Sequence, residues 1–243
     1  MFGFLQPQCP VPRDEKAWLE NGFAWLTDQF GRERLRRGTV ILPTEQFFPD
    51  RFDGSNQAIR QLLDRVCEYM DVDCSTVLLH LYDEGRNIDL GPGCMVVSEG
   101  SGTAGTYHQE AKTVISVETT HREEPVILVA TMAHELGHAR LLGENRINAE
   151  NRDHEKLTDL STVFFGLGIF NANACIHESQ QRVAGWYRWS IGRMGYLSEP
   201  MWAYALALYA WARGENKPPW AKHLRTNVRC LMKDGLRYLL KTR

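Results

Sequence analysis

The sequence predicts an α+β fold in a single 243-residue unit. Three observations point there. The first 75 residues carry helical periodicity; short β-branched and aromatic runs divided by glycine turns follow between Val77 and Val117; helical spacing returns after His154. The expected organisation is a helical segment at 1–75, a small central sheet with one bounded helix at 76–143, and a mostly helical part at 144–243.

Leu19, Phe23, Leu26 and Phe30, at spacings of 4, 3 and 4, line one face of a helix that opens near Arg13 and closes at Gly31 or Gly38. Ile59, Leu62, Leu63, Val66, Cys67 and Met70 define a second helix, preceded by the turn-forming Asp53-Gly54-Ser55-Asn56. Val77 to Tyr82, Met95 to Val97 and Thr113 to Val117 read as strands, separated by Gly91-Pro92-Gly93 and the glycines from Gly100 to Gly105. Pro125 is well placed to start a helix, with Glu123 and Glu124 at its positive end, and Gly143 to stop it. Apolar residues from Val126 to Leu141 surround much of this helix, which predicts burial on more than one side. Everything after His154 reads as helical: the apolar run Val163 to Phe170 as a buried helix, Ser198-Glu199-Pro200 as the start of another through Trp211, and Lys217-Pro218-Pro219-Trp220 as a break before the last. Trp186, Trp189, Trp202, Trp211 and Trp220 predict an aromatic core in that final quarter.

Composition narrows the function classes. A formal net charge of -2 gives no reason to expect nucleic acid or an anionic membrane as partner. The cluster Arg32, Arg34, Arg36 and Arg37 reads as a solvated helix end. Met1 to Pro12 lacks a basic start and a sustained apolar stretch, and Val163 to Phe170 falls far short of the roughly 20 residues of a membrane span. A cytoplasmic protein is expected, of open oligomeric state. The six cysteines form no C-x-x-C pair, which indicates neither a zinc knuckle nor a redox dithiol.

The most informative residues are His134-Glu135-Leu136-Gly137-His138. Positions i and i+4 share a helix face, so the two imidazoles can bind one Zn²⁺ while Glu135 reaches a water beside it as general base. Two histidines leave zinc short of ligands. Glu155 is the best third candidate, seventeen positions after His138 across a polar connection in which the chain can double back. His154, Glu144 and Glu150 are its rivals. Asp159, one turn beyond Glu155, is placed to accept the second ring N–H of a ligating histidine and fix its tautomer.

His134-Glu135-Leu136-Gly137-His138 together with Glu155-Lys156-Leu157-Thr158-Asp159 resembles the gluzincin zinc metallopeptidases, whose pattern is H-E-x-x-H followed by a separate helix carrying E-x-x-x-D. The likeness covers about 26 residues. It implies a zincin-like fold, one Zn²⁺ on His134, His138 and Glu155, Glu135 as catalytic base, Asp159 behind a ligand, and hydrolysis of a peptide or protein substrate lying along an edge strand. Thr113 to Val117 is the strand expected in that role. The short metzincin signature is absent, because position 144 is Glu.

An oxyanion in such a reaction needs a donor besides the metal, and His177, Tyr187, Tyr196 and Tyr204 all follow the third ligand in sequence. His108 and His121 read as surface residues. Gly100 to Gly105 spells G-x-G-x-x-G, but an extended run rather than a helix follows, so it reads as a loop near the cleft and not as a dinucleotide site. Two other readings stay open: a non-catalytic regulatory protein retaining a zinc site, and a hydrolase dedicated to one partner protein. A fourth protein ligand from His154 or Cys175, closing the site, is the feature that distinguishes the first.

Overall fold

A computed structural model describes residues 7–82, 105–109, 113–118, 121–183, 186–193 and 195–242. The fold is mixed and mostly helical. The elements are α1 (Arg13–Phe30), α2 (Arg32–Arg37), α3 (Asn56–Tyr69), β1 (Val77–Tyr82), β2 (Gly105–Gln109), β3 (Thr113–Glu118), α4 (Pro125–His138), α5 (His154–Phe164), α6 (Gly168–Ala174), β4 (Ile176–Val183), β5 (Trp186–Arg193), α7 (Glu199–Ala212) and α8 (Thr226–Thr242).

The predicted boundaries have local causes. Gly31 and Gly38 both act, the first ending α1 and the second ending α2. Ser55 caps α3 by accepting a hydrogen bond from the Ala58 N–H, and Asp53 in turn accepts from Ser55. Pro125 occupies the first turn of α4, where its missing N–H costs nothing. The helix loosens into a single π turn over Ala139–Gly143 and stops there.

Helix α4 is buried around most of its circumference, as its apolar composition requires: α3, α5, α6 and strands β2 and β3 all pack on it. A second buried helix, α7, has Met201 to Ala210 all removed from solvent, with α8, α1, α5 and α6 around it. Phe23, Phe30, Phe164, Phe165 and Tyr209 form the aromatic contact between α1, α5 and α7. Trp202 and Trp220 join that core, while Trp186 and Trp189 lie on β5, described by its backbone alone.

Four expectations need correction. Strand β3 is not an edge: it pairs in parallel with β1 and antiparallel with β2, so both its hydrogen-bonding sides are occupied. Among the described residues the free edges belong to β1 and β2, and β2 is the edge strand that touches α4. Residues 176–183 and 186–193 are not helical; β4 and β5 pair antiparallel from Ile176–Arg193 to Val183–Trp186. Their β-branched and aromatic residues around Ala184-Gly185 carry a hairpin signal that the flanking helices masked. Val163 to Phe170 is not one helix, because Gly166 at φ +90° breaks it and passes its carbonyl to the Ile41 N–H. Arg34, finally, is turned inward: it donates to the Tyr69 carbonyl and lies over the Phe165 ring. Met95 to Val97, Cys94 and most of the Gly100 to Gly105 run lie outside the described residues.

Candidate metal centre

Helices α4 and α5 approach at Gly137. A Cβ there would lie 2.9 Å from both Ser161 Oγ and Thr158 Cγ2, so the missing side chain sets how near the two helices come. That approach turns one stripe of α5, residues 155, 158 and 159, toward the two histidines of α4.

His134 Nε2 and His138 Nε2 each lie 3.2 Å from the same atom, Glu155 Oε2. Among the described residues these three are the group whose potential metal-ligand atoms all fall within 4.8 Å of one another. The far side of each ring is engaged as well. His134 Nδ1 is 2.8 Å from Asp159 Oδ1, a carboxylate oxygen, which makes Nδ1–H the donor. His138 Nδ1 is 3.2 Å from Thr158 Oγ1. The single Thr158 hydroxyl proton goes to the His154 carbonyl at 2.9 Å, so Thr158 accepts from His138.

With each Nδ1 so engaged, both Nε2 atoms face the same carboxylate oxygen, and the three atoms together form a group that could hold a metal ion. Burial favours a neutral His134, but Asp159 and Glu155 outweigh it and push the pKa up to about 10. Burial likewise opposes ionisation of Glu155, and the two imidazoles overcome it, holding the carboxyl well below its ordinary range. The donor set suits zinc in kind, two imidazoles and a carboxylate. The two separations from Glu155 Oε2, 3.2 Å each, lie near the roughly 3.3 Å between ligands of a tetrahedral ion with bonds of about 2.0–2.1 Å.

Asp159 is 1% exposed and spends its other oxygen on the chain's own backbone. Its Oδ2 accepts from the N–H groups of Tyr196, at 2.6 Å, and Leu197, at 3.0 Å. The Tyr196 ring stacks on His134, centroids 5.8 Å apart and planes 19° from parallel. Tyr196 is 41% exposed, so its ring covers His134 from the solvent side. Burial and the nearby carboxylates of Glu155, Asp159 and Glu135 raise its pKa, which keeps the hydroxyl a donor. Glu135 is buried on the same helix between the two ligating positions.

The rivals separate cleanly. His154 Nε2 faces the other oxygen of Glu155, Oε1, at 3.2 Å, and stays outside the three-atom group. Glu144 pairs with Arg140 and Arg146, and Glu150 is exposed in the connection. Cys175 is buried with its thiol on the Ala172 carbonyl. Of the four oxyanion candidates, Tyr204 is buried against Glu20, while His177 and Tyr187 lie on β4 and β5, whose side chains fall outside the description. His121 pairs with Glu124 at the turn before α4, and His108 lies on β2. Sequence reasoning missed Thr158 and the Tyr196-Leu197 backbone. Thr158 had a signal, since it shares the i, i+3, i+4 stripe with Glu155 and Asp159; the backbone donors had none.

Among the described residues no helix is long and apolar enough to cross a membrane. Comparison with protein-family models, with curated proteins and with solved structures yields no match, so the reading of this centre rests on its own chemistry.

Proposed function

We propose that this chain is a zinc-dependent metallopeptidase of gluzincin type, with a zincin-like arrangement of α4, α5 and the sheet. The observation that carries the reading is the convergence of His134 Nε2, His138 Nε2 and Glu155 Oε2, with Asp159 behind His134. His134, His138 and Glu155 would hold the ion. Zinc bound there supplies Lewis acidity, polarising a carbonyl and acidifying water.

The remaining work falls to the chain. Glu135 takes a proton from the water that attacks the scissile carbonyl carbon, and returns it to the amine nitrogen as the C–N bond breaks. Tyr196, whose ring stacks on His134, is the candidate to donate its hydroxyl to the oxygen that gains charge in that step. Strand β2, the edge that touches α4, is the place for an extended substrate. A base beside three converging ligand atoms favours catalysis over a purely structural ion, which uses no base.

The test is metal content by mass spectrometry on wild type, Glu135→Gln and Glu155→Ala, with cleavage of a mixed peptide library on the same samples. One zinc per chain in wild type and Glu135→Gln, little in Glu155→Ala, and cleavage by wild type alone is the expected result. A wild type that takes up no zinc on reconstitution overturns the reading. Zinc without cleavage removes the general peptidase and leaves a single-substrate or regulatory protein.

A further inference from the structure

We infer that Gly195, with the peptide N–H groups of Tyr196 and Leu197, is the positioning element of the metal centre, setting the orientation of His134 from outside the ligand-bearing helices. The inference rests on the metal-centre reading above and extends it to a segment that the motif does not include.

Asp159 links two elements through its two oxygens. Oδ1 meets His134 on α4, and Oδ2 meets the turn that precedes α7. A carboxylate held at one oxygen can still swing about its terminal torsion; held at both, it fixes the plane in which the imidazole must lie. Two consecutive N–H groups converge on one oxygen only where the backbone curls, and Gly195 at φ +82° begins that curl. Position 195 excludes a side chain on a second ground. A Cβ there would sit 3.0 Å from Asp159 Oδ2 and 3.4 Å from Oδ1, displacing the carboxylate that the turn otherwise holds.

The turn is itself anchored. Leu197 is fully buried, and Ser198 caps α7 by accepting from the Met201 N–H. The buried helix α7 therefore fixes the turn, the turn fixes Asp159, and Asp159 fixes His134. Tyr196 adds a second hold by stacking its ring on the same histidine. Gly214 supplies the contrast: at φ +75° it has the same kind of backbone, but nothing lies within 4 Å of its Cβ position.

The test uses the full-length metal-free protein as wild type, Gly195→Ala, Gly195→Asn and Gly214→Ala. Asparagine tolerates positive φ and still places a Cβ against Asp159, which separates the clash from backbone strain. Each is titrated with Co²⁺, read by visible absorption and by competition with a chelating dye, alongside thermal melting. Both Gly195 variants are expected to bind Co²⁺ about 10–100-fold more weakly than wild type with an altered visible band. Gly214→Ala is expected to melt earlier and bind as wild type does. Should Gly195→Ala fail to fold, Gly195→Asn decides. Gly195 variants that bind Co²⁺ as tightly as wild type overturn the inference, as does an equal loss in Gly214→Ala. A wild type that binds neither Co²⁺ nor Zn²⁺ overturns the metal-centre reading itself, and this with it.

Discussion

Gly137 lies against Thr158 so closely that a methyl group on its Cα would stand 2.9 Å from Thr158 Cγ2 and 3.3 Å from the Thr158 carbonyl oxygen. The glycine inside the H-E-x-x-H run is therefore what lets α5 reach α4. In an open helix Gly→Ala gains about 1 kcal/mol. Here a buried neighbour must move, at a cost of about 1–3 kcal/mol, and the second effect prevails. Gly137→Ala is expected to melt earlier than wild type and to bind zinc more weakly, because the clash separates the histidines from Glu155. Thermal melting with and without zinc checks it; a stabilised variant would show that the helices have room to spare.

Removing Asp159 costs twice. Asp159→Ala takes away the partner of His134 Nδ1 and strands the N–H groups of Tyr196 and Leu197. Zinc affinity should fall about 10–100-fold, and the metal-free protein should lose about 1–3 kcal/mol from the unpaired donors. Dye-competition titration and urea unfolding read the two effects separately. Unchanged affinity with lowered stability would leave Asp159 as a packing residue.

The pH dependence has a definite sign. His134 titrates above its ordinary 6.5, so its contribution to the metal-free protein is complete below pH 6.5 and is lost as pH rises toward about 10. Glu155 titrates below its ordinary 4.5, so its contribution is present above that value and is lost as pH falls through the lower one. The pair stabilises most between those ordinary values. Zinc reverses the upper limb, because the ion must displace the proton on His134. Melting temperature against pH, with chelator and with zinc, should show two curves that separate increasingly above pH 6.5. Parallel curves there would contradict a shared site.

His154→Ala distinguishes an open from a closed centre. Its Nε2 meets Glu155 Oε1 rather than the ligand group, so the variant should keep one zinc per chain by mass spectrometry. Loss of zinc would make His154 a fourth ligand and favour a structural or regulatory ion.

Tyr196→Phe retains the backbone donors and the ring stack, and removes only the hydroxyl. Peptide cleavage should lose about 10²-fold in kcat with KM little changed and zinc retained. A change confined to KM would assign the hydroxyl to substrate binding instead.

How much of this was legible in the sequence follows from the range of each interaction. Helices α1, α3, α4 and α7 announced themselves because caps, prolines and apolar spacing act within a few residues. His134, His138, Glu155 and Asp159 were legible for the same reason, since each pair obeys helix periodicity. The central position of β3 was not, because strand order depends on partners remote in sequence. The β4–β5 hairpin was lost between long helical runs, and Val163 to Phe170 hid its break because Gly166 turns against Thr39, more than a hundred residues away. The backbone of Tyr196 and Leu197 reaches Asp159 through main-chain atoms that every sequence possesses.

The three ligand atoms belong to two helices joined by the connection at 144–153, and this ties assembly of the centre to assembly of the fold. A nascent chain ending at Gly143 already owns both imidazoles, yet can offer an ion only a two-point grip. The third point arrives when α5 docks. If the proposed site takes an ion, one captured early would be held loosely and would exchange, whereas one captured after docking would be held by all three, and the gain between those states would become free energy of folding. Metal supply during synthesis would then shift the docking equilibrium of the α4–α5 junction toward chains whose second half has already arrived.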